Sequence, residues 1–201
     1  MQKRQFSPNR LSLYPKPVVV VTSINNLSEI GAATIAWNGI VSSRPQVISV
    51  SFLPDSFTRK CIFESREFVI NVPDGSLWKE VNFLGSVSGA WDNKLRSYPP
   101  AFQSLSLSPS TLIRAPRVNE FYLNLECRML RSVQIGLYDC IFGEVLTMHC
   151  DASLFVADHP KGNIDFKSVQ PLVCLGDQYW TGGRFLGIST ENKIHPHGSE
   201  H

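Results

Sequence analysis

The chain has 201 residues, 43% hydrophobic and 18% charged, with a net charge of +2. That length fits one domain, residues 1–201, with a sizeable core, and the small, scattered positive charge forms no basic stripe that would call for nucleic acid. The N-terminus lacks the apolar run of a signal peptide and the longest aliphatic run, Val18 to Val21, is far too short to cross a membrane, so a cytoplasmic location with no membrane partner is expected.

Residues 1–14 read as an arm. Pro17 to Ile24 is a β-branched run and reads as a buried strand. Asn25, Asn26, Ser28 and Gly31 read as the following turn. Ala33 to Ile40 is expected to be a second strand, with Trp37 inside it. Arg44-Pro45 breaks the chain before a third strand, Gln46 to Leu53. There Val47, Ser49 and Ser51 share one face, and Ile48, Val50 and Phe52 the other.

Ser56 is a helix N-cap candidate, and Phe57, Cys61 and Ile62 recur at helical spacing to about Arg66. Phe68 to Val72 is another strand. Leu77, Val81 and Leu84 predict a second helix, ended by Gly85 and Gly89. Residues 86–100 read as a polar loop, a length often tied to function. Glu120 to Met148 reads as an antiparallel pair turning near Gln134-Ile135-Gly136, and Pro171 to Leu175 as a last strand. The tail, 190–201, is expected to be flexible. Six or more strands without regular βα alternation predict a mainly β fold, a barrel with flanking helices.

The common catalytic signatures are missing. There is no P-loop, no G-x-G-x-x-G and no H-E-x-x-H. Gly85 to Gly89, GSVSG, has its serines at the wrong places for a nucleophile elbow. His149, Cys150 and Asp151 are strand neighbours, so their side chains do not converge. Five cysteines without a C-x-x-C pair predict free buried thiols rather than disulfides or zinc. His195, His197 and His201 fall in the tail, where frayed ends seldom preorganise metal ligands.

Several short segments occur in a recognisable order. They are Pro15-Lys16-Pro17-Val18, Thr34-Ile35-Ala36-Trp37, Ser56-Phe57-Thr58 and Phe68-Val69-Ile70-Asn71. Ser88-Gly89 with Lys94, Gly143-Glu144-Val145, and Pro171-Leu172-Val173 followed by Tyr179 continue the order. Over roughly residues 14–180 the chain resembles the flavin reductase-like family, in its flavoredoxin-like branch. Gly31 stands where that pattern often has Asn, and Tyr138 where it often has His.

The resemblance implies an FMN-binding split β-barrel and a homodimer with the flavin near the subunit interface. It implies FMN contacts at Gly31, Thr34, Trp37, Ser51, Ser56, Thr58, Lys94, Tyr138 and Tyr179. Ser56 and Thr58, at a helix N-terminus, suit a phosphate, because free N–H groups and the helix dipole favour an anion there. Lys94, on the expected loop, would supply counter-charge. Thr34 and Ser51 would be strand donors to the flavin, and Trp37 would lie beside its ring. Ser56 also reads as a plain helix cap, Trp37 as a core or interface residue, and Lys94 as a solvated loop residue. The implied activity is NAD(P)H-dependent flavin oxidoreduction with small-molecule donor and acceptor. An electron-transfer flavoprotein and a non-catalytic flavin binder are the alternatives.

Overall fold

The computed structural model describes residues 13–96, 98–156 and 163–182. The expected tail, the three tail histidines and residues 1–12 of the arm lie outside the described residues.

A two-residue strand β1 (Lys16–Pro17) leads into β2 (Val19–Ile24). The valine run is unbroken because both faces of the strand are covered: Val19 and Val21 enter one apolar cluster, Val18 and Val20 another. Next come β3 (Ile30–Ile35), β4 (Asn38–Ser43), β5 (Gln46–Phe52), α1 (Phe57–Ser65) and β6 (Glu67–Val72). A 3-10 turn at Gly75–Leu77 precedes α2 (Trp78–Ser86), and α3 (Trp91–Arg96) follows. A short pair, β7 (Leu107–Ser108) and β8 (Arg117–Val118), precedes the long hairpin of β9 (Leu123–Ile135) and β10 (Tyr138–Cys150). The pair β11 (Phe155–Val156) and β12 (Asn163–Ile164) and the hairpin β13 (Leu172–Leu175) and β14 (Gln178–Thr181) complete the order.

Seven strands form one antiparallel sheet in the order β3-β2-β6-β9-β10-β5-β4. Its two edge strands, β3 and β4, are consecutive in the chain, with only Ala36 and Trp37 between them. The sheet's edges therefore meet at that bend, and the result is a barrel split along one seam. Val21, Ile35, Val50, Phe52, Phe68 and Ile141 fill its interior together with Ile62 of α1. On the outside, Val81 and Leu84 of α2, Trp91 of α3 and Leu172 of β13 pack on Val18, Val20 and Ala32. The fold is mainly β with flanking helices, as expected.

Asn71, the last residue of the Phe68-Val69-Ile70-Asn71 segment, is fully buried and satisfied on both sides. Its Oδ1 accepts from Val118 N and Asn124 Nδ2, and its Nδ2 donates to Val20 O and Thr22 Oγ1. It fastens the segment around β8 to the barrel.

Four expectations change. Ala33 to Ile40 is not one strand: the Asn38 amide donates to Ile35 O and Pro17 O, and Trp37 O accepts from Ser51 N, bending the chain between β3 and β4. Gly31 lies in β3 rather than in the turn; Asn25 makes the turn, its Oδ1 accepting from Leu27 N and Glu29 N. Gly85 lies within α2 rather than ending it. Residues 86–100 are not all loop, because 91–96 form α3.

Candidate functional site

One concavity opens where α1, the end of α2 and α3 meet β3. Ala32, Ala33 and Thr34 line it from β3, Ser56, Phe57 and Thr58 from α1, and Gly85, Ser86, Ser88 and Gly89 from the segment ending α2. Lys94 reaches it from α3. The Ser56 Oγ accepts the Arg59 N–H at 3.4 Å, so Ser56 is the N-cap and keeps its hydroxyl proton for another acceptor. The first-turn N–H groups of a helix lack intrahelical acceptors and carry the positive end of its dipole. Thr58, buried in that first turn, adds a hydroxyl.

Gly31 explains how α1 comes so near. A Cβ there would stand 2.7 Å from Thr58 Cα and 3.1 Å from its Oγ1. Gly31 therefore sits behind Thr58 rather than in the concavity, and an Asn at this position would not fit the packing. Gly85 acts similarly, since its Cβ would meet Thr34 Cβ at 3.0 Å. The Thr34 hydroxyl donates to Val81 O at 2.6 Å, so toward a ligand it offers lone pairs and not the proton expected of it.

Lys94 is not on a loop. It belongs to α3, is only 3% exposed, and its Nζ donates to Ala32 O at 2.7 Å and Leu84 O at 2.6 Å. The Leu84 carbonyl is among the last of α2, so the ammonium also satisfies a helix C-terminus. Burial pulls the Lys94 pKa down to about 8. An ammonium in this setting gains from a nearby anion.

Trp37 stands on the bend between β3 and β4 with its ring against Tyr138, centroids 4.5 Å apart and planes at 39°. Trp37, Ser49, Ser51, Lys16 and Asn38 line a second pocket. Tyr138 reaches the groove through Trp37. The next residue, Asp139, is ion-paired with Arg59 of α1, which ties the hairpin end to the helix carrying Ser56 and Thr58. Tyr179 lines a third cleft with Thr34, Gly85, Ser86, Asn82 and Lys16, its ring 6.2 Å from that of Trp78. Burial raises its pKa, so the phenol stays protonated at neutral pH.

The three hollows adjoin. Thr34, Gly85 and Ser86 border the first concavity and the cleft; Lys16 and Ala36 border the cleft and the Trp37 pocket. One groove thus gathers Thr34, Ser56, Thr58, Lys94, Trp37, Ser51 and Tyr179, with Gly31 and Tyr138 supporting it from behind. Ser86, Ser88 and Lys16 also border the groove, although the residue pattern assigns them no site role and Ser88 and Lys16 fall only within the ordered segments. The first two sit in the GSVSG segment, whose hydroxyls border the concavity instead of forming a nucleophile elbow, and the third sits between two prolines.

Convergent hydroxyls, a helix N-terminus and one buried ammonium are the donor set a phosphate monoester needs. The adjoining aromatic pocket suits a planar ring. Asp55 also borders the concavity, but it is exposed and water screens it, so the residues present fit FMN. Among the described residues no cluster of His, Cys, Asp or Glu could hold a metal, and no helix is long and apolar enough to cross a membrane. The five cysteines are free, and burial lifts the Cys61 thiol to about 11, which keeps it unreactive.

The sequence model of the flavin reductase-like domain matches residues 11–179. An uncharacterised protein of Archaeoglobus fulgidus is 33% identical over 70% of this chain and 76% of its own length. The structure of flavoredoxin from Desulfovibrio vulgaris (Miyazaki F) superposes with a TM-score of 0.82 at 25% identity, covering 96% of this chain and 99% of that one. Flavoredoxin from Methanosarcina acetivorans gives 0.79 at 23% identity, covering 96% and 97%.

Proposed function

The chain belongs to the flavin reductase-like family, and from that premise we propose that it binds FMN in the groove and acts as an NAD(P)H-dependent flavin oxidoreductase. The observation that carries this reading is the continuity of an anion cradle, built from Ser56, Thr58 and Lys94, with the Trp37 pocket. When held there, FMN would supply the redox chemistry, accepting a hydride equivalent from a reduced nicotinamide and passing the electrons on to an acceptor.

The protein's part is placement and electrostatics. Ser56 and Thr58 donate hydroxyl protons to the phosphate, the α1 N-terminus adds N–H groups, and Lys94 neutralises charge in a desolvated site. Ser51, Trp37 and Tyr179 border the space for the ring, with Tyr138 fixing the Trp37 orientation. No acid–base residue is required of the protein, in keeping with the missing catalytic signatures. Aerobic oxidation of NADH and of NADPH by FMN-loaded protein is the test. Turnover well above free FMN supports the enzyme. Retained FMN without turnover favours the second reading, an electron carrier, toward which the 0.82 superposition on a flavoredoxin points.

The reading includes a homodimer. β9 outruns its partner β6, because Glu67 pairs with Arg128 and the strand continues to Ile135. That extension and the turn after it expose Leu130, Val133, Ile135 and Leu137, and the edge strand β4 exposes Ile40 and Val41. Light scattering over a dilution series, read beside flavin fluorescence, tests it. Dimer dissociation accompanied by FMN release is expected; a monomer that keeps its flavin contradicts an interface site.

A further inference from the structure

Lys16 is a cation to which the flavin reading gives no task. Its backbone is fixed by pairing with Cys174 of β13. Its ammonium lies over two rings, 5.0 Å from the Tyr14 centroid and 5.9 Å from that of Trp37. These faces hold the charge in place. Among the described residues Lys16 enters no ion pair, and it borders both the Trp37 pocket and the cleft beneath Tyr179. A ligand with a single phosphate engages Lys94 at the other end of the groove. A second cation, held in place at this end, is therefore available to a second anion.

Resting on the proposal that FMN occupies the groove, we propose that Lys16 recognises the co-substrate, a planar aromatic molecule bearing a carboxylate. The carboxylate meets the Lys16 ammonium while the aromatic body shares the cleft with the flavin ring, lying against it on the Tyr179 side, where Asn82 and Gln178 offer further polar contacts. The cleft's carboxylate, Asp177, is exposed on the turn between β13 and β14, so water screens its repulsion. Lys16 is half-buried against aromatic walls, where its attraction is screened less.

The test compares benzoate with benzamide, which share a ring and differ in charge. FMN retention after desalting is measured first, for wild type, Lys16→Met and Lys16→Arg. Each loaded protein is then titrated with both probes without any electron donor, following the flavin absorbance. Wild type should bind benzoate about tenfold more tightly than benzamide, the scale of one charge-assisted hydrogen bond. Lys16→Met should abolish the preference and Lys16→Arg should keep it, both with FMN retained. Equal binding of the probes by wild type, no binding of either, or a preference that survives in Lys16→Met overturns the proposal while leaving the flavin reading intact. Loss of FMN from Lys16→Met alone also overturns it, by making Lys16 a flavin ligand. Wild type that retains no FMN defeats the flavin reading, and this proposal with it.

Discussion

Replacing Gly31 by alanine tests whether the close approach of α1 to β3 builds the anion cradle. The new Cβ would stand 2.7 Å from Thr58 Cα and 3.2 Å from Thr58 N, where ordinary contact begins at 3.4 Å. Both atoms are backbone, so no rotamer change relieves the clash. The first turn of α1 must retreat by about 0.7 Å, the difference between 3.4 and 2.7 Å. Overpacking of this kind costs about 1–3 kcal/mol. With a urea slope of about 2 kcal/mol/M, the unfolding midpoint should fall by about 0.5–1.5 M. The cradle moves with Thr58, so FMN should lose more affinity than riboflavin, which has no phosphate. Gly39→Ala is the control: nothing lies within 4 Å of its Cβ, and its stability should stay within about 0.5 kcal/mol of wild type. A Gly31→Ala protein with wild-type midpoint and FMN affinity would mean that the close approach of α1 to β3 does not build the cradle.

Thr58→Val should weaken FMN relative to riboflavin by about tenfold, as loss of one charge-assisted bond, measured by fluorescence titration. Lys94→Met should weaken FMN and also lower the urea midpoint, because the Ala32 and Leu84 carbonyls lose their donor; unchanged stability would mean those bonds carry no weight. Lys94 titrates at about 8 in the fold against 10.5 ordinarily, so between these values the unfolded chain holds more protons and the flavin-free protein should gain stability from this group as pH rises. FMN binding has the opposite sign: affinity should fall above about pH 8 as the ammonium is lost, while riboflavin affinity stays flat, and parallel pH profiles contradict the assignment. Buried Glu126 accepts from Thr111 N, Leu112 N and His149 Nε2; burial alone would raise its pKa, but these donors hold it below the usual range. Its stabilisation is therefore present above the ordinary glutamate pKa and lost as acid reaches the lowered one, and Glu126→Gln should flatten that acid limb of stability against pH.

Much of the barrel is visible in the residue pattern. In β5 the alternation Ile48, Val50, Phe52 against Val47, Ser49, Ser51 assigns the inner face directly, and Val50 and Phe52 are in the barrel core. The Ser56 cap likewise marks the start of α1. Most of what escaped depends on contacts distant in sequence. Ala33 to Ile40 does carry one local signal, the turn dipeptide Asn38-Gly39, and the bend is fixed there by the Asn38 amide on Ile35 O and on distant Pro17 O and by Ser51 holding Trp37. Gly85 looks like a helix stop, but it is the residue that lets α2 approach Thr34. α3 is only six residues long, too short for a periodic signal, and its placement of Lys94 against Ala32 and Leu84 comes from packing. Lys16, in sequence only one member of the Pro15-Lys16-Pro17-Val18 segment, has two rings and two hollows meeting around it through contacts no local pattern reveals.

Calorimetric titration of the flavin-free protein with FMN and with riboflavin decides whether the groove recognises a flavin phosphate. Saturable FMN binding, a yellow protein after desalting, and riboflavin binding at least about tenfold weaker are expected, since the phosphate is what Ser56, Thr58 and Lys94 recognise. Equal affinity for the two flavins, or no retained flavin absorbance, contradicts that recognition.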